Sequence, residues 1–158
     1  MIFTSYPKPS FVESKKKILQ KISKIIDDGN YINSKEVNIF EKNFAKYIGV
    51  KYSASVGNAT DALFLSLKSL EIGKGDEVIT VSHTATATLT AIMRTGAKPQ
   101  LVDIDEENFN ININQVEKKI TTKTKALIVV HLYGQSCDMN KLLSLSKKYK
   151  LQIIEDCS

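Results

Sequence analysis

The sequence predicts an α/β fold, a three-layer α/β/α arrangement around a mostly parallel sheet. Three observations support this prediction. Short apolar segments rich in Val, Ile and Leu recur along the chain, segments with helical apolar spacing separate them, and turns containing Gly lie between the two kinds. Strands that alternate with helices form a largely parallel sheet, because each crossover helix returns the chain to the same end of the sheet.

The first part of the chain is expected to be helical. Residues Phe11 to Asp27 carry apolar side chains at helical spacing, which predicts one amphipathic helix. A second helix is predicted over Lys35 to Tyr47 and ends at Gly49, where the only soft boundary of the chain lies. We assign residues 1–30 to an N-terminal helical segment and residues 31–158 to the domain that contains the predicted sheet.

Strands and helices alternate after Gly49. Five strands are predicted, at Tyr52–Val56, Glu77–Val81, Lys98–Val102, Lys125–Val130 and Leu151–Ile154. Four helices are predicted with them, at Thr60–Leu70, Thr84–Arg94, Asn114–Lys119 and Asp138–Lys148. The carboxyl ends of parallel strands face the ligand crevice of an open sheet, so polar residues at those ends are the candidates for a functional site.

The composition excludes several classes of protein. A chain of 158 residues with 42% hydrophobic and 25% charged residues is typical of a globular domain. The net charge of +5 comes from lysines spread over predicted helices, without interleaved aromatic residues, so we expect no nucleic-acid partner. The longest apolar run, Ala126 to Val130, is too short to cross a bilayer, and Cys137 and Cys157 form no close pair. We expect a cytoplasmic protein with free thiols and no membrane partner.

The junction from Gly57 to Leu63 is a candidate anion site. Small residues there let backbone N–H groups approach an anion, the helix dipole favours negative charge, and the Thr60 hydroxyl can donate a hydrogen bond. The segment has neither the P-loop ending nor the three-glycine spacing of a dinucleotide fingerprint. A simple helix N-cap by Asn58 or Thr60 is the alternative interpretation.

Two histidines follow other predicted strands. His83 supplies a flat ring that can stack on an aromatic ligand or donate a hydrogen bond, although a lone loop histidine is more often structural. His131 lies at the equivalent position after a later strand, where satisfying backbone groups of the loop is an equally ordinary role. Both residues are therefore candidates with a structural alternative.

Carboxylates stand at two strand ends. Glu155 and Asp156 follow the last strand directly, and because neighbouring side chains diverge, at most one of them faces the crevice. The structural alternative is that both are solvated or cap a helix. Asp103-Ile104-Asp105 has a metal-like spacing but lacks the glycine and the later glutamate of a calcium loop, so we predict no metal site.

Together these features fit one cofactor. An anion cradle, a loop carrying a ring and a carboxylate match the phosphate, the flat ring and the pyridine nitrogen of pyridoxal 5'-phosphate.

Seven segments, in their order and spacing, resemble the DegT/DnrJ/EryC1/StrS family of sugar aminotransferases over residues 29–158. They are Gly57–Leu63, Gly73–Ile79, Gly96–Pro99, Val102–Asp105, Thr122–Ala126, His131–Gly134 and Ile154–Asp156. The resemblance implies the large domain of a fold-type I enzyme that uses pyridoxal 5'-phosphate. It also implies a homodimer that transfers an amino group from glutamate to a nucleotide-linked keto sugar, in the biosynthesis of amino sugars or cell-surface polysaccharides.

The resemblance also implies roles for individual residues. Ala59 and Thr60 match the phosphate-binding pair, and Asp156 matches the carboxylate that pairs with the pyridine nitrogen. Ala59 replaces the glycine of many members but keeps a small side chain and a free N–H. Ala85 stands where many members place an aromatic residue that stacks on the cofactor, and His83 is our candidate to replace it.

No lysine of the chain matches the family's Schiff-base lysine, whose position is expected beyond Ser158. We therefore expect the 158 residues to be an N-terminal fragment without catalytic residues of its own, inactive alone, with an unpaired sheet edge that promotes aggregation. Three alternatives remain open: a dehydratase of the same family in which histidine replaces that lysine, a noncatalytic binding module, and a generic nucleotide-binding sheet.

Overall fold

The computed structural model describes residues 6–158, which form two compact units divided between Ser55 and Val56. The first unit holds three helices in its described part: α1 at Lys8–Val12, α2 at Lys15–Asp28 and α3 at Lys35–Ile48. The single helix predicted over Phe11 to Asp27 is wrong, because the ladder of helical hydrogen bonds is interrupted at Glu13 and Ser14. The division at residue 30 stays a prediction.

Helices α2 and α3 are amphipathic, but the first unit buries little of their apolar faces. No residue of α2 is buried, and Ala45 is the buried residue of α3. Each helix ends at a glycine in the left-handed region, Gly29 at φ 67° and Gly49 at φ 81°, a conformation that other residues adopt only at a cost. The sequence therefore sets where these helices stop.

The second unit contains the remaining elements, in alternating order. They are α4 at Ala59–Ser69, β1 at Glu77–Val81, α5 at Thr86–Arg94, β2 at Lys98–Val102, α6 at Ile113–Lys119, β3 at Thr124–Val130, a short 3-10 turn at Leu132–Gly134, α7 at Met139–Tyr149 and β4 at Gln152–Asp156. The bounds of β1 and β2 are those predicted from the sequence.

The four strands pair in the order β2-β1-β3-β4, and every pair is parallel. The chain moves from β1 to β2 in one direction and from β2 to β3 to β4 in the other. Right-handed crossovers therefore place α5 on one face of the sheet and α6 and α7 on the other. The contacts of α4 with α5 and of α6 with α7 agree with these layers. The predicted α/β fold with a mostly parallel sheet is confirmed.

The strand predicted at Tyr52–Val56 is wrong. A strand requires a paired neighbour, and in the described part of the chain nothing pairs with this segment. Its polar groups bond to α3 instead: the Ser53 hydroxyl donates to the Glu41 carbonyl at 2.7 Å, and the Ser55 N–H donates to the Glu41 carboxylate at 2.7 Å. The alternation of apolar and polar side chains in this segment does not determine whether a neighbouring strand is present to pair with it.

The core of the second unit lies between the sheet and its helices. The most completely buried large side chains come from the central strands and the facing helices, and include Leu67, Ile79, Ile92, Leu127, Ile128 and Leu142. Central parallel strands are covered on both faces, which explains why β1 and β3 read as nearly continuous apolar runs.

The two outer strands differ at their free edges. On β2, the Lys98 N–H donates to the Asp76 carbonyl on the β1 side at 2.9 Å. Backbone groups alternate along a strand, so residue 99 would point its N–H outward, but it is a proline and has none. On β4, residues 153 and 155 are non-proline, and their N–H and C=O groups point away from β3.

No helix within residues 6–158 combines the length and apolar character needed to cross a membrane. The same residues contain no group of three or more His, Cys, Asp or Glu side chains placed to hold a metal ion.

Candidate functional site

The carboxyl ends of the four strands lie along one edge of the sheet. Val81 is paired with Val102, and Val130 is paired with Asp156. The polar segments that follow these strands therefore share this edge, as the sequence predicts for an open parallel sheet.

The first turn of α4 has open backbone amides. Asn58 is extended, with φ −165° and ψ 170°, and its Oδ1 accepts a hydrogen bond from the Asp61 N–H at 2.9 Å. Ala59 and Thr60 are the first two residues of the helix, so their N–H groups have no acceptor within it. The N-cap offered as an alternative is thus present at Asn58, and it leaves two amides and the helix dipole available to an anion.

Replacing Asn58 with Ala should lower the free energy of unfolding by about 1 kcal/mol, since the Asp61 N–H loses its acceptor. Chemical denaturation followed by circular dichroism measures this loss. Asn58→Ser is the matched control, because serine is also a preferred N-cap residue and, unlike aspartate, places no second negative charge beside Asp61. Equal stability of the Ala and Ser variants would contradict the cap.

Asp61 and Arg94 form an ion pair beside this turn. Asp61 Oδ1 accepts from Arg94 Nη1 at 2.8 Å, and Asp61 Oδ2 accepts from Asn58 Nδ2 at 2.9 Å. The hydrogen bond from Arg94 is the main cause that lowers the pKa of the Asp61 carboxyl below its ordinary value. Burial opposes this shift, and the bond from Asn58 adds to it. Sequence reasoning missed the pair, because 33 positions separate the two residues.

His83 touches a residue that the sequence did not single out, Tyr133. The His83 Nε2 and the Tyr133 hydroxyl oxygen are 3.1 Å apart, and the two rings meet at 62° with centroids 6.2 Å apart. Tyr133 has φ 56°, the left-handed region that a bulky residue rarely occupies. The contact joins the loops that follow the neighbouring strands β1 and β3.

His131 has the backbone role that the sequence offered as its alternative. Its Nδ1 accepts the Cys137 N–H at 3.1 Å, which assigns the ring hydrogen to Nε2. That nitrogen lies 2.9 Å from Glu155 Oε2 and donates to it. His131 therefore fixes the loop after β3 and holds Glu155.

Asp156 ends β4 and is 9% exposed, whereas the neighbouring Glu155 side chain is 50% exposed. Asp156 Oδ1 accepts from the Ser158 N–H at 3.1 Å and from the Ser158 hydroxyl at 2.5 Å. Within residues 6–158, no hydrogen bond reaches Oδ2. The carboxylate is therefore oriented through one oxygen while the other is available to a cationic or N–H donor.

The predicted site residues belong to one packed unit, and within residues 6–158 no hydrogen bond or ring contact joins any two of them. Helix α4, which begins with Ala59 and Thr60, contacts strand β4, which ends with Asp156. His83 meets Tyr133, and Ala85 occupies the N-cap position of α5. A phosphate requires N–H donors, which the two open amides provide, and a protonated pyridine requires an acceptor, which the open carboxylate oxygen provides, so these residues fit pyridoxal 5'-phosphate.

Burial raises the pKa of the Cys137 thiol above its ordinary value. Loss of contact with water also raises the pKa of the Cys157 thiol, and the nearby Glu155 carboxylate adds to that shift. Both cysteines are free, as predicted from their spacing. Neither thiol has the lowered pKa of a reactive nucleophile.

Comparison with known proteins adds independent information. The model of the DegT/DnrJ/EryC1/StrS aminotransferase family matches residues 12–158. The chain is 48% identical over 143 residues to dTDP-3-amino-3,6-dideoxy-alpha-D-galactopyranose transaminase of Aneurinibacillus thermoaerophilus, covering 90% of this chain and 39% of that protein. It is 40% identical over 148 residues to UDP-N-acetyl-3-dehydro-alpha-D-glucosamine 3-aminotransferase of Acidithiobacillus ferrooxidans, covering 94% of this chain and 40% of that protein.

Solved structures agree with this match. DesV of S. venezuelae, determined in complex with a ketimine intermediate, superposes with a TM-score of 0.93 at 38% identity, over 96% of this chain and 41% of DesV. NtdA of Bacillus subtilis, determined with bound cofactor PMP, superposes with a TM-score of 0.89 at 32% identity, over 92% of this chain and 33% of NtdA. The predicted fold-type I architecture is confirmed by these neighbours.

The chain spans about 40% of the length of the curated relatives it matches. Within that span the match is continuous from α2 to β4 and includes all the candidate site residues. The chain belongs to the DegT/DnrJ/EryC1/StrS aminotransferase family.

Proposed function

We propose that the full-length protein is a pyridoxal 5'-phosphate-dependent aminotransferase that moves the amino group of glutamate to a nucleotide-linked keto sugar. One observation carries the proposal: the same packed unit holds two open amides at the start of α4 and an open carboxylate oxygen at the end of β4, a strand that α4 contacts. Family membership and the names of the relatives, which are transaminases of dTDP- and UDP-linked sugars, support the same reaction class.

Each candidate residue has a defined task in this proposal. The N–H groups of Ala59 and Thr60 and the Thr60 hydroxyl bind the phosphate at the positive end of the helix. Asp156 accepts a hydrogen bond from the ring nitrogen, and His83 covers the ring in place of the aromatic residue absent at Ala85. When bound, the cofactor carries the amino group between substrates and accepts the electron pair released when a substrate C–H bond breaks.

Asp156 is suited to hold a proton on the ring nitrogen. Its Oδ1 is fixed by two hydrogen bonds from Ser158, so Oδ2 keeps one direction without a further loss of side-chain freedom. The negative charge of the carboxylate favours the protonated, positively charged form of the nitrogen next to it. Asp156 is therefore the residue of this chain with the largest expected influence on rate.

The amine that attaches the cofactor is expected from a lysine outside residues 1–158, since none of the present lysines matches the family motif. We also propose that the protein is a cytoplasmic homodimer. The apolar side chains exposed on α2 and α3, among them Ile22, Phe40 and Phe44, are the kind of surface that a further subunit or domain buries.

Transfer of a labelled amino group tests the proposed function. Full-length protein with pyridoxal 5'-phosphate, ¹⁵N-glutamate and a dTDP- or UDP-linked 3-keto sugar should give a ¹⁵N-labelled amino sugar and an equal amount of 2-oxoglutarate, both measured by mass spectrometry. Glutamate gives up its α-amino group and becomes the ketone 2-oxoglutarate, while the sugar ketone becomes an amine, so the two products must appear together in equal amounts. A sugar that loses a hydroxyl group without gaining ¹⁵N would instead identify the dehydratase, and the absence of any product would refute catalysis of either reaction on these substrates.

A further inference from the structure

We propose that Arg94 is a positioning residue that cancels the charge of Asp61 and so keeps the first turn of α4 open to a phosphate. This inference rests on the proposed function, because it assigns the ion pair a role at the phosphate site. The pair would then set how strongly the site discriminates a phosphorylated ligand from an unphosphorylated one.

Asp61 poses an electrostatic problem for an anion site. It is the third residue of α4, so its Cα lies about 3 Å along the helix axis from that of Ala59, and its carboxylate accepts a hydrogen bond from the N-cap side chain of Asn58 at 2.9 Å. A carboxylate in a first turn stabilises an empty helix, because it neutralises the positive end of the dipole. The same charge repels a phosphate at that end, at a separation well inside the screening length of about 8 Å.

Arg94 lies where it removes this repulsion. Its Nη1 donates to Asp61 Oδ1 at 2.8 Å, so the two side chains together carry no net charge. The guanidinium carbon also lies 4.4 Å above the centre of the Phe64 ring, a cation–π contact that holds the group beside the first turn. Arg94 thus has two partners on α4, one charged and one aromatic.

Stability alone is a weak reason for this pair. The Arg94 side chain is 46% exposed and the Asp61 side chain 37% exposed. Exposed ion pairs add little to the free energy of unfolding, since water screens them and both side chains lose freedom. The local charge next to the two open amides, in contrast, changes by a full unit when either partner is neutralised.

Affinity measurements on four proteins test the inference. The full-length protein, freed of cofactor, is compared with Arg94→Met, Asp61→Asn and the double variant, and each is titrated with pyridoxal 5'-phosphate and with pyridoxal by absorbance. Arg94→Met should weaken pyridoxal 5'-phosphate about fivefold, and Asp61→Asn should strengthen it by a similar factor. The double variant should return to the wild-type affinity, and pyridoxal should bind all four alike.

The opposite signs of the two single variants separate this role from a structural one. A pair that serves only to tie α4 to α5 would make both single variants weaker for both ligands, and that result overturns the inference, as would an Arg94→Met protein with unchanged affinity. Thermal unfolding of each variant identifies any loss of folded protein. Wild-type protein that binds pyridoxal 5'-phosphate no better than pyridoxal would refute the phosphate site itself, and with it the cofactor assignment in the proposed function.

Discussion

Asp156→Asn in the full-length protein should lower the turnover number for amino transfer by about 100-fold or more, the scale on which loss of one preorganised polar group acts. Asparagine has the same shape and its Oδ1 can still accept both hydrogen bonds from Ser158. The change falls on the other position, where an NH₂ group replaces Oδ2. That group cannot accept a hydrogen bond from a protonated ring nitrogen, so the cofactor loses its capacity to accept electrons.

The neighbouring carboxylate provides the matched control. Glu155 is on the exposed side of β4 and bonds to His131, so Glu155→Gln should change turnover by no more than about twofold. Steady-state rates with saturating cofactor, together with the absorbance of bound cofactor, separate lost catalysis from lost binding. An Asp156→Asn enzyme with wild-type turnover would refute the role assigned to Asp156.

Leu127→Ala should lower the free energy of unfolding by about 3 kcal/mol, within the range measured for leucine truncation in buried sites. Leu127 is fully buried in β3, and its register neighbours are Ile79 on β1 and Ile153 on β4. Truncation leaves a cavity at the centre of the sheet, because the paired backbones on both sides prevent the strands from closing around it. Denaturant unfolding followed by circular dichroism measures the loss.

Leu101→Ala is the control for this change. Leu101 is also a strand leucine, but it lies on the outer strand β2 and is 41% exposed, so its truncation should cost less than about 1 kcal/mol. Equal losses for the two variants would mean that the centre of the sheet does not form the core of this unit.

The sequence predicted those elements whose signals are local. The bounds of β1 and β2 were correct, because the Gly-containing turns at Gly75 and Gly96 precede these two short segments and mark where each strand begins. The segment at 52–56 alternates apolar and polar side chains, yet it is not a strand in the described structure, since strand formation depends on a partner that the segment's own residues do not determine. The prediction of a single helix over Phe11 to Asp27 was wrong for a related reason, because apolar spacing does not indicate a break in the hydrogen-bond ladder near Ser14.

In the candidate site, too, the sequence predicts the features that depend on local residues and does not predict the contacts between distant ones. The start of α4 and the position of Asp156 at a strand end follow from capping residues and from strand polarity, both of which are visible in the sequence. The partners of these residues are not visible there. Arg94 and Tyr133 reach Asp61 and His83 only because the fold brings neighbouring elements together, and no spacing rule connects positions that lie tens of residues apart.

Pro99 makes the two outer strands of the sheet unequal in their capacity to pair with a further strand. A strand that pairs with the free side of β2 lacks one backbone N–H donor, at Pro99. The free side of β4, formed by Gln152–Asp156, has both N–H and C=O groups for pairing. A further strand is therefore expected to pair with β4 and not with β2. This holds for a strand of the same polypeptide and for a strand of another molecule in an aggregate. A molecule in which another strand pairs with that flank would be protected against self-templated assembly.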